Sequence, residues 1–212
     1  MIKANLELIH SGDWTELTKG LEVKLISLYY LINPINHINL EIMLFYGNDP
    51  SKFISNLKKH NNIYKVINTK KIRRNLFEIS FMGNYNDSIR RVLFQNNVIA
   101  SSLVVEDRVE KFSIFSLNDN NLETVTNSLA KMKNVNLIKN QRRKYDIVDA
   151  IQLLTPLESR IIIEAYNRGF FEHPRNITLD KLAEEFGITK TTLNFHLRNA
   201  IRKIISNFLY NQ

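Results

Sequence analysis

Residues 178–198 read TLDKLAEEFGITKTTLNFHLR, and this stretch carries the strongest structural pattern in the chain. Hydrophobic residues recur at the three- and four-residue spacing of amphipathic helices on both sides of Gly187. Thr178 and Thr189 precede the two runs, where a threonine hydroxyl can accept a hydrogen bond from an unpaired backbone amide. Glycine adopts the left-handed conformation that ends one helix and redirects the chain. The stretch therefore predicts two helices joined by a tight turn, the pattern of a helix-turn-helix.

The second helix of the pair, predicted at about residues 190–207, combines an apolar face with a cationic one. Leu193, Leu197 and Ala200 recur at helical spacing, and no Asp or Glu occurs after the turn. The start of such a helix usually enters the major groove of DNA. The predicted DNA-binding residues are Thr189, Lys190, Thr191, Asn194, Phe195, Arg198 and Arg202.

These side chains suit DNA, and some of them have a simpler alternative. Asn194 can bond an adenine edge in a bidentate way, and Arg198 can reach guanine or phosphate. Phe195 either covers a thymine methyl group or packs against the preceding helix. Thr189 alternatively only caps its helix, and Arg202 alternatively is a solvated residue placed favourably towards a helix C-terminus.

A third helix is predicted just upstream of the pair. Thr155 is its cap, Pro156 lies in its first turn, and Glu158 completes a capping box. The connector that follows this helix contains Phe170 and Phe171, which we expect to anchor it onto the three-helix core.

Four segments of this region form a distinctive set. They are Thr155–Pro–Leu–Glu, the connector Gly169–Phe–Phe–Glu–His–Pro–Arg, Leu182–Ala–Glu–Glu–Phe–Gly–Ile–Thr and Leu193–Asn–Phe–His–Leu–Arg–Asn–Ala. Together they resemble the helix-turn-helix of archaeal regulators of the bacterio-opsin activator type. The segment Asp13–Trp14–Thr15, with the strands after it, is similar to the N-terminal part of such regulators. The resemblance implies a transcription factor with a DNA-binding C-terminal domain and a variable regulatory domain.

Length and composition agree with two domains. The chain has 212 residues, of which 44% are hydrophobic, so it can bury a core in each of two modest domains. We predict an α+β regulatory or dimerisation domain at residues 1–145 and an all-α helix-turn-helix domain at residues 146–212. No apolar run is long enough to cross a bilayer and no signal peptide is evident, so we expect a cytoplasmic protein without a membrane partner. The chain has no cysteine, which excludes disulfides and cysteine-ligated metals.

The formal net charge of +8 is unevenly distributed. Residues 1–145 contain 21 basic and 13 acidic residues, whereas residues 146–212 contain eight of each. The surplus therefore does not support the helix-turn-helix itself. A basic run at Arg142, Arg143 and Lys144 is predicted to make auxiliary phosphate contacts, and its alternative is a solvated linker.

Residues 1–145 alternate between strand and helix patterns. Strands are predicted at Asn5–His10, Gly20–Tyr30, His37–Tyr46 and Ile63–Thr69, with a helix from Ser51 to about His60. The next stretch is predicted as strand Leu76–Met82, helix Asn86–Asn96, strands Val98–Glu106 and Val109–Leu117, helix Leu122–Lys133 and strand Val135–Lys139. This order predicts a ferredoxin-like antiparallel sheet with two helices on one side, which the earlier strands extend or partly duplicate.

The fold class alone does not choose among the uses of such a domain. We expect a homodimer, because a dimeric helix-turn-helix protein contacts two DNA half-sites. A small-molecule effector would bind at the turns Gly47–Pro50 or Gly83–Asp87, whose alternative is an Asx turn or a helix cap. RNA binding is disfavoured, since Phe77 and Phe81 lack a glycine-rich basic context.

No catalytic constellation is present in the sequence. His-rich metal spacing, a glycine-rich phosphate loop and a serine elbow are all missing, so no enzyme activity, cofactor or metal is predicted. The predicted function is a sequence-specific transcription regulator that binds double-stranded DNA. The alternative is a protein-interaction adaptor of the transcription machinery, which uses the helix-turn-helix without reading DNA sequence.

Overall fold

The computed structural model describes residues 1–144 and 154–210. The chain divides into two compact units, Met1–Tyr145 and Asp146–Gln212. The predicted boundary between residues 145 and 146 lies outside the described residues. Within the two described ranges, no helix has both the length and the apolar character needed to cross a lipid bilayer.

The first unit is an antiparallel sheet packed against helices. Its strands are β1 (Ile2–His10), β2 (Lys24–Asn33), β3 (Ile38–Tyr46), β4 (Ile63–Arg73), β5 (Leu76–Asn84), β6 (Ile99–Glu106), β7 (Val109–Ser116) and β8 (Val135–Lys144). Its helices are a short 3-10 helix (Trp14–Thr18), α1 (Ser51–Leu57), α2 (Ile89–Gln95) and α3 (Asp119–Lys131). The predicted strands and helices are present, and their ends differ by a few residues. The α+β class is therefore confirmed.

The strand order is β4-β5-β3-β2-β6-β7-β1-β8, and all neighbours are antiparallel. The elements from β5 to β8 follow the predicted order of strand, helix, strand, strand, helix, strand. However, β5 lies between β3 and β4, and β1 takes the place beside β7 and β8. The two halves, β1–β4 and β5–β8, have therefore exchanged their first strands. The sheet is therefore symmetric in its strand order. If β1 is exchanged with β5, β2 with β6, β3 with β7 and β4 with β8, the order read from the opposite edge is the same.

One face of this sheet is buried beneath the helices. In β3, the buried residues Asn39, Glu41, Met43 and Phe45 alternate with half-buried ones. Side chains of the three α-helices and of Trp14 join the same core as Met43 and Phe45. Period-two alternation places every second side chain on one face, which explains why one side of the sheet builds the core.

The two edge strands carry much of the basic surplus. The basic residues of β4 and β8 are Lys65, Lys70, Lys71, Arg73, Lys139, Arg142, Arg143 and Lys144, and all are exposed. Charged side chains on edge strands oppose pairing with another sheet. This gives the surplus a structural role that does not require DNA.

The second unit contains α4 (Pro156–Asn167), α5 (Leu179–Glu185) and α6 (Lys190–Tyr210). The capping box of α4 is confirmed: Glu158 N donates to Thr155 Oγ1 at 3.2 Å, and Thr155 N donates to Glu158 Oε2 at 2.8 Å. Phe170 is buried in the core of this unit, as predicted. Phe171 is 47% exposed, so it is not an anchor, and its ring meets the Phe170 ring edge to face at 5.3 Å between centroids.

Candidate nucleic-acid interface

The turn between α5 and α6 fixes how the last helix is presented. Gly187 has a positive φ of 63°, which a residue with a side chain adopts only under strain. Ile188 N donates to Ala183 O at 3.1 Å, which closes the end of α5. Leu193 and Leu197 of α6 are buried in the core that it shares with α4 and α5, and the opposite side of α6 faces solvent.

Thr189 caps α6. Its Oγ1 accepts from Thr192 N at 3.1 Å and lies 2.8 Å from Thr192 Oγ1. The simpler alternative for this residue is therefore realised, and its hydroxyl is already engaged within the helix. Thr189 remains exposed, so its role as a DNA contact stays a prediction.

The solvent-facing side of α6 brings most of the predicted residues together. The side chains that share this face are Thr191, Asn194, Phe195, Arg198, Asn199 and Arg202. Five of these six were predicted as DNA contacts, and all five are exposed. Asn199, which is half-buried, is the member that sequence reasoning missed.

Lys190 begins the same helix and is tied to the preceding one. Its Nζ lies 2.9 Å from Asp180 Oδ2, and both side chains are more than half exposed. Such an exposed ion pair contributes roughly 0–1 kcal/mol, so a phosphate can replace the carboxylate at little loss.

Phe195 is 61% exposed, which rules out the alternative that it packs against the preceding helix. Its only close ring neighbour among the described residues is the adjacent His196, at 5.5 Å between centroids. An aromatic side chain in water on a polar helix face gains free energy when it is covered. Its position therefore suits an apolar contact with a partner.

Lys203, in contrast, turns inward. Its Nζ lies 2.7 Å from Glu158 Oε2, and the two side chains are 19% and 5% exposed. The hydrogen bond from Lys203 is the main cause that lowers the pKa of the Glu158 carboxyl. The cationic face of α6 is consequently narrower than the sequence indicated, because one of its four basic residues holds α4.

The basic run Arg142, Arg143 and Lys144 lies at the end of β8. The alternative that it is a solvated linker is wrong, since all three residues pair with β1. Their side chains are exposed, and Arg142 Nη2 donates to Thr126 Oγ1 at 3.0 Å. Contact with DNA phosphates stays a prediction for these three.

The two turns proposed for an effector have local hydrogen bonds instead. Asp49 Oδ1 accepts from Ser51 N at 2.9 Å, and Asn84 Oδ1 accepts from Asn86 N at 2.9 Å. Both are the side-chain turns that the alternative predicted. These carboxylate and amide oxygens are therefore explained without a ligand.

Comparison with protein families identifies the second unit. Residues 154–206 match the model of a family described as an HTH DNA binding domain. This match supports the resemblance of the segment to the bacterio-opsin activator type of helix-turn-helix domain. The matched range begins one residue before Thr155, the cap of α4, and ends within α6. It therefore contains all seven predicted DNA-binding residues, which are Thr189, the cap of α6, and six residues of α6 itself. A comparison with curated proteins gives no match.

Proposed function

We propose that this protein is a sequence-specific transcription regulator that reads the major groove of DNA with α6. The observation that carries the proposal is the exposed face of α6 inside the matched DNA-binding domain. That face combines two arginines, amide and hydroxyl side chains and one exposed aromatic ring, and it carries no acidic residue. The buried side of the same helix fixes its orientation on the domain.

Each side chain on this face has a complementary partner in DNA. The major groove is about 12 Å wide and admits an α-helix. Asn194 is expected to bond an adenine edge, Arg198 a guanine edge, and Phe195 to cover a thymine methyl group. Lys190 and Arg202 are expected to contact phosphates, which position the helix without reading sequence.

The first unit is proposed to hold two copies together. Tyr29 and Leu31 of β2 are 71% and 58% exposed. Their register neighbours on β3 are Ile42 and Leu40, which lie on the sheet face opposite the buried Glu41 and Met43. We call these four apolar residues the β2–β3 patch. Exposed apolar patches mark interaction sites, and a second copy of this chain is the proposed occupant because two half-sites need two reading helices. The same unit is proposed as the place where a small-molecule effector would act.

A gel-shift series over salt concentration tests whether α6 makes base contacts and the end of β8 makes phosphate contacts. Arg198→Ala should weaken binding to a preferred duplex by about 1–3 kcal/mol and relax base preference, because a base contact is lost. Arg143→Ala should weaken binding equally on all duplexes and reduce the slope of log K against log salt by about 1. Arg160→Ala is the matched control, since it removes an exposed arginine that belongs to α4 and lies over the Phe186 ring, 5.7 Å from its centroid.

The proposal fails if both test variants bind like the unmodified protein. It also fails if Arg160→Ala loses as much affinity as Arg198→Ala, because α6 would then have no special part. A protein that binds no duplex at any salt concentration would instead favour the adaptor.

A further inference from the structure

Three potential metal ligands meet in the interior of the first unit. His10 ends β1, Asp13 caps the 3-10 helix, and Glu110 lies on β7. They are 1%, 7% and 5% exposed, and one ligand atom from each lies within 4.8 Å of the others. A buried imidazole beside two buried carboxylates is a costly arrangement unless something compensates the charge.

Arg90 compensates this charge only in part, because its guanidinium favours the ionised form of Glu110 but is itself bound to another carboxylate. Arg90 is 4% exposed, and its guanidinium binds Glu41 through Nε to Oε1 and through Nη2 to Oε2, the latter at 2.9 Å. Its positive charge is thus matched by Glu41. Glu110 forms no ion pair with any residue in the described ranges.

Buried oxygen atoms at the cluster also lack partners. Glu110 Oε1 and Asn39 Oδ1 have no hydrogen-bond partner among the described residues, and neither does the buried hydroxyl of Thr15 beside Glu110. The side chains of Glu110 and Asn39 line the same cavity as His10 and Asp13. Buried polar atoms are almost always satisfied by protein, water or an ion. Thr15 can turn its hydroxyl to Glu110, so Asn39 Oδ1 is the atom that points most directly to a bound species.

The cavity limits what that species can be. Its volume is about 40 Å³. One water needs roughly 10–15 Å³ on this measure, and metabolite pockets are several hundred Å³. The space suits an ion with one or two waters and excludes a metabolite.

The imidazole of His10 has an amide and a carboxylate beside it. Its Nε2 lies 3.0 Å from Asn134 Nδ2 and 3.4 Å from Asp87 Oδ1. With Asn134 donating, Nε2 accepts and the proton lies on Nδ1. Binding of a cation at Nδ1 would displace that proton, and Nε2–H would then donate to Asp87 once the Asn134 amide turns away. A carboxylate behind the imidazole is the usual outer partner of a metal-ligating histidine.

Burial raises the pKa of the Glu110 carboxyl well above its ordinary value, and the neighbouring Asp13 charge raises it further. Burial also raises the pKa of Asp13.

We propose that His10, Asp13 and Glu110 bind one divalent transition-metal cation, with Asn39 Oδ1 as a further oxygen ligand. One imidazole nitrogen with carboxylate and amide oxygens is a donor set for Zn²⁺ or Mn²⁺. Two ligands of a tetrahedral Zn²⁺ ion lie roughly 3.4 Å apart, so side-chain atoms that lie within 4.8 Å of one another close in by up to roughly 1.4 Å on binding. The site does not depend on the proposed DNA-reading role of α6.

The test is metal binding by the full chain after removal of bound metal with a chelator. Titration calorimetry with Zn²⁺ and with Mn²⁺ should give one site per chain for at least one ion. The melting temperature of the first unit, followed by the fluorescence of Trp14, should rise by roughly 5–10 °C at a hundredfold excess of ion over its Kd. Co²⁺ in a four-coordinate protein site should give an intense visible absorption band, whereas six-coordinate Co²⁺ bound adventitiously to carboxylates gives only a weak one.

Glu110→Gln separates a metal site from a merely structural polar cluster. The amide has nearly the shape of the carboxyl and carries no charge, so the metal-free variant should melt at or above the temperature of the unmodified protein. The same variant should lose the cation-dependent shift and bind the ion at least about a hundredfold more weakly. His37→Gln and Glu106→Gln remove an exposed imidazole and an exposed carboxylate, and both should leave binding unchanged.

The proposal is overturned if neither ion shifts the melting temperature, or if the shift persists in Glu110→Gln. Loss of binding in His37→Gln or Glu106→Gln also overturns it, because the ion would then lie at the surface. If Glu110→Gln does not fold, Asp13→Asn gives the same test, since its amide oxygen can still accept from Thr15 N.

Discussion

At the level of single residues, neighbouring side chains of α6 have different roles. Leu193 and Leu197 are buried and hold the helix on the domain, whereas Asn194 and Arg198 are exposed one helical turn apart. Lys203 shows that position alone does not decide the task. It is basic like Arg202 beside it, yet it is committed to Glu158 of α4.

The Glu158–Lys203 pair should make the stability of the second unit depend on pH. The pKa of Glu158 is lowered in the folded protein from about 4.5. The pair therefore stabilises the fold fully above that ordinary value, and this contribution is lost as pH falls through the lowered pKa. Lys203→Met should reduce the free energy of unfolding by about 2 kcal/mol at pH 7, and the difference should shrink as pH falls below about 4.5.

Urea denaturation followed by helical circular dichroism measures this effect. Trp14 is the only tryptophan and lies in the first unit, so its fluorescence should not report the loss. Lys181→Met, which removes an exposed lysine of α5, is the control. An equal loss in the control, or a loss that does not depend on pH, would refute the role given to the pair.

Local features of single residues were the most predictable from sequence. Each helix cap and the glycine turn involve only residues within about four positions in the sequence, so the local pattern is enough to predict them. These features are the caps at Thr155, Thr178 and Thr189 and the turn at Gly187. The partner of Lys203 lies 45 residues away. Only the folded chain brings Glu158 to it, and no spacing rule indicates that pair.

At the scale of elements, periodicity predicted the strands and helices but not their neighbours. The alternation in β5 is the same whether it pairs with β7 or with β3, because a strand's pattern reports only which face is buried. The exchange of β1 and β5 is therefore invisible in the sequence. The linker alternative for residues 142–144 failed for a related reason, since a charged edge strand and a solvated linker have similar compositions.

The β2–β3 patch leads to a prediction about assembly. Leu31→Glu places a charge in the proposed interface and should convert a dimer into a monomer, as measured by sedimentation velocity. The residue is 58% exposed, so the fold should tolerate the change. Phe208→Glu on the last part of α6 is the comparison variant, because Phe208 is a similarly exposed apolar residue at 61%.

The outcomes of this pair of variants are distinct. Dissociation by Leu31→Glu alone supports the β2–β3 patch. Dissociation by Phe208→Glu alone would move the interface to α6, and an unmodified chain that sediments as a monomer would exclude the dimer.

At the scale of the whole molecule, the chain joins a DNA-binding domain to an α+β unit that has its own buried polar cluster. His10 and Asp13 are close in sequence, but Glu110 is nearly a hundred residues away and reaches them only because β1 pairs with β7. Sequence reasoning therefore predicted no metal. The exchange of β1 and β5, which could not be predicted from the sequence, is also the reason that the candidate metal site could not be predicted.

Selection from a pool of random duplexes shows whether the full protein reads DNA sequence with α6. The selection is carried out with the unmodified chain and with Asn194→Ala/Arg198→Ala. If α6 reads the sequence, the unmodified chain should enrich a motif in two half-sites about 10 base pairs apart or a multiple of that spacing. The double variant should lose that motif. A pool that remains random after selection by the unmodified chain, or the same motif selected by the double variant, would contradict the reading of DNA sequence by α6.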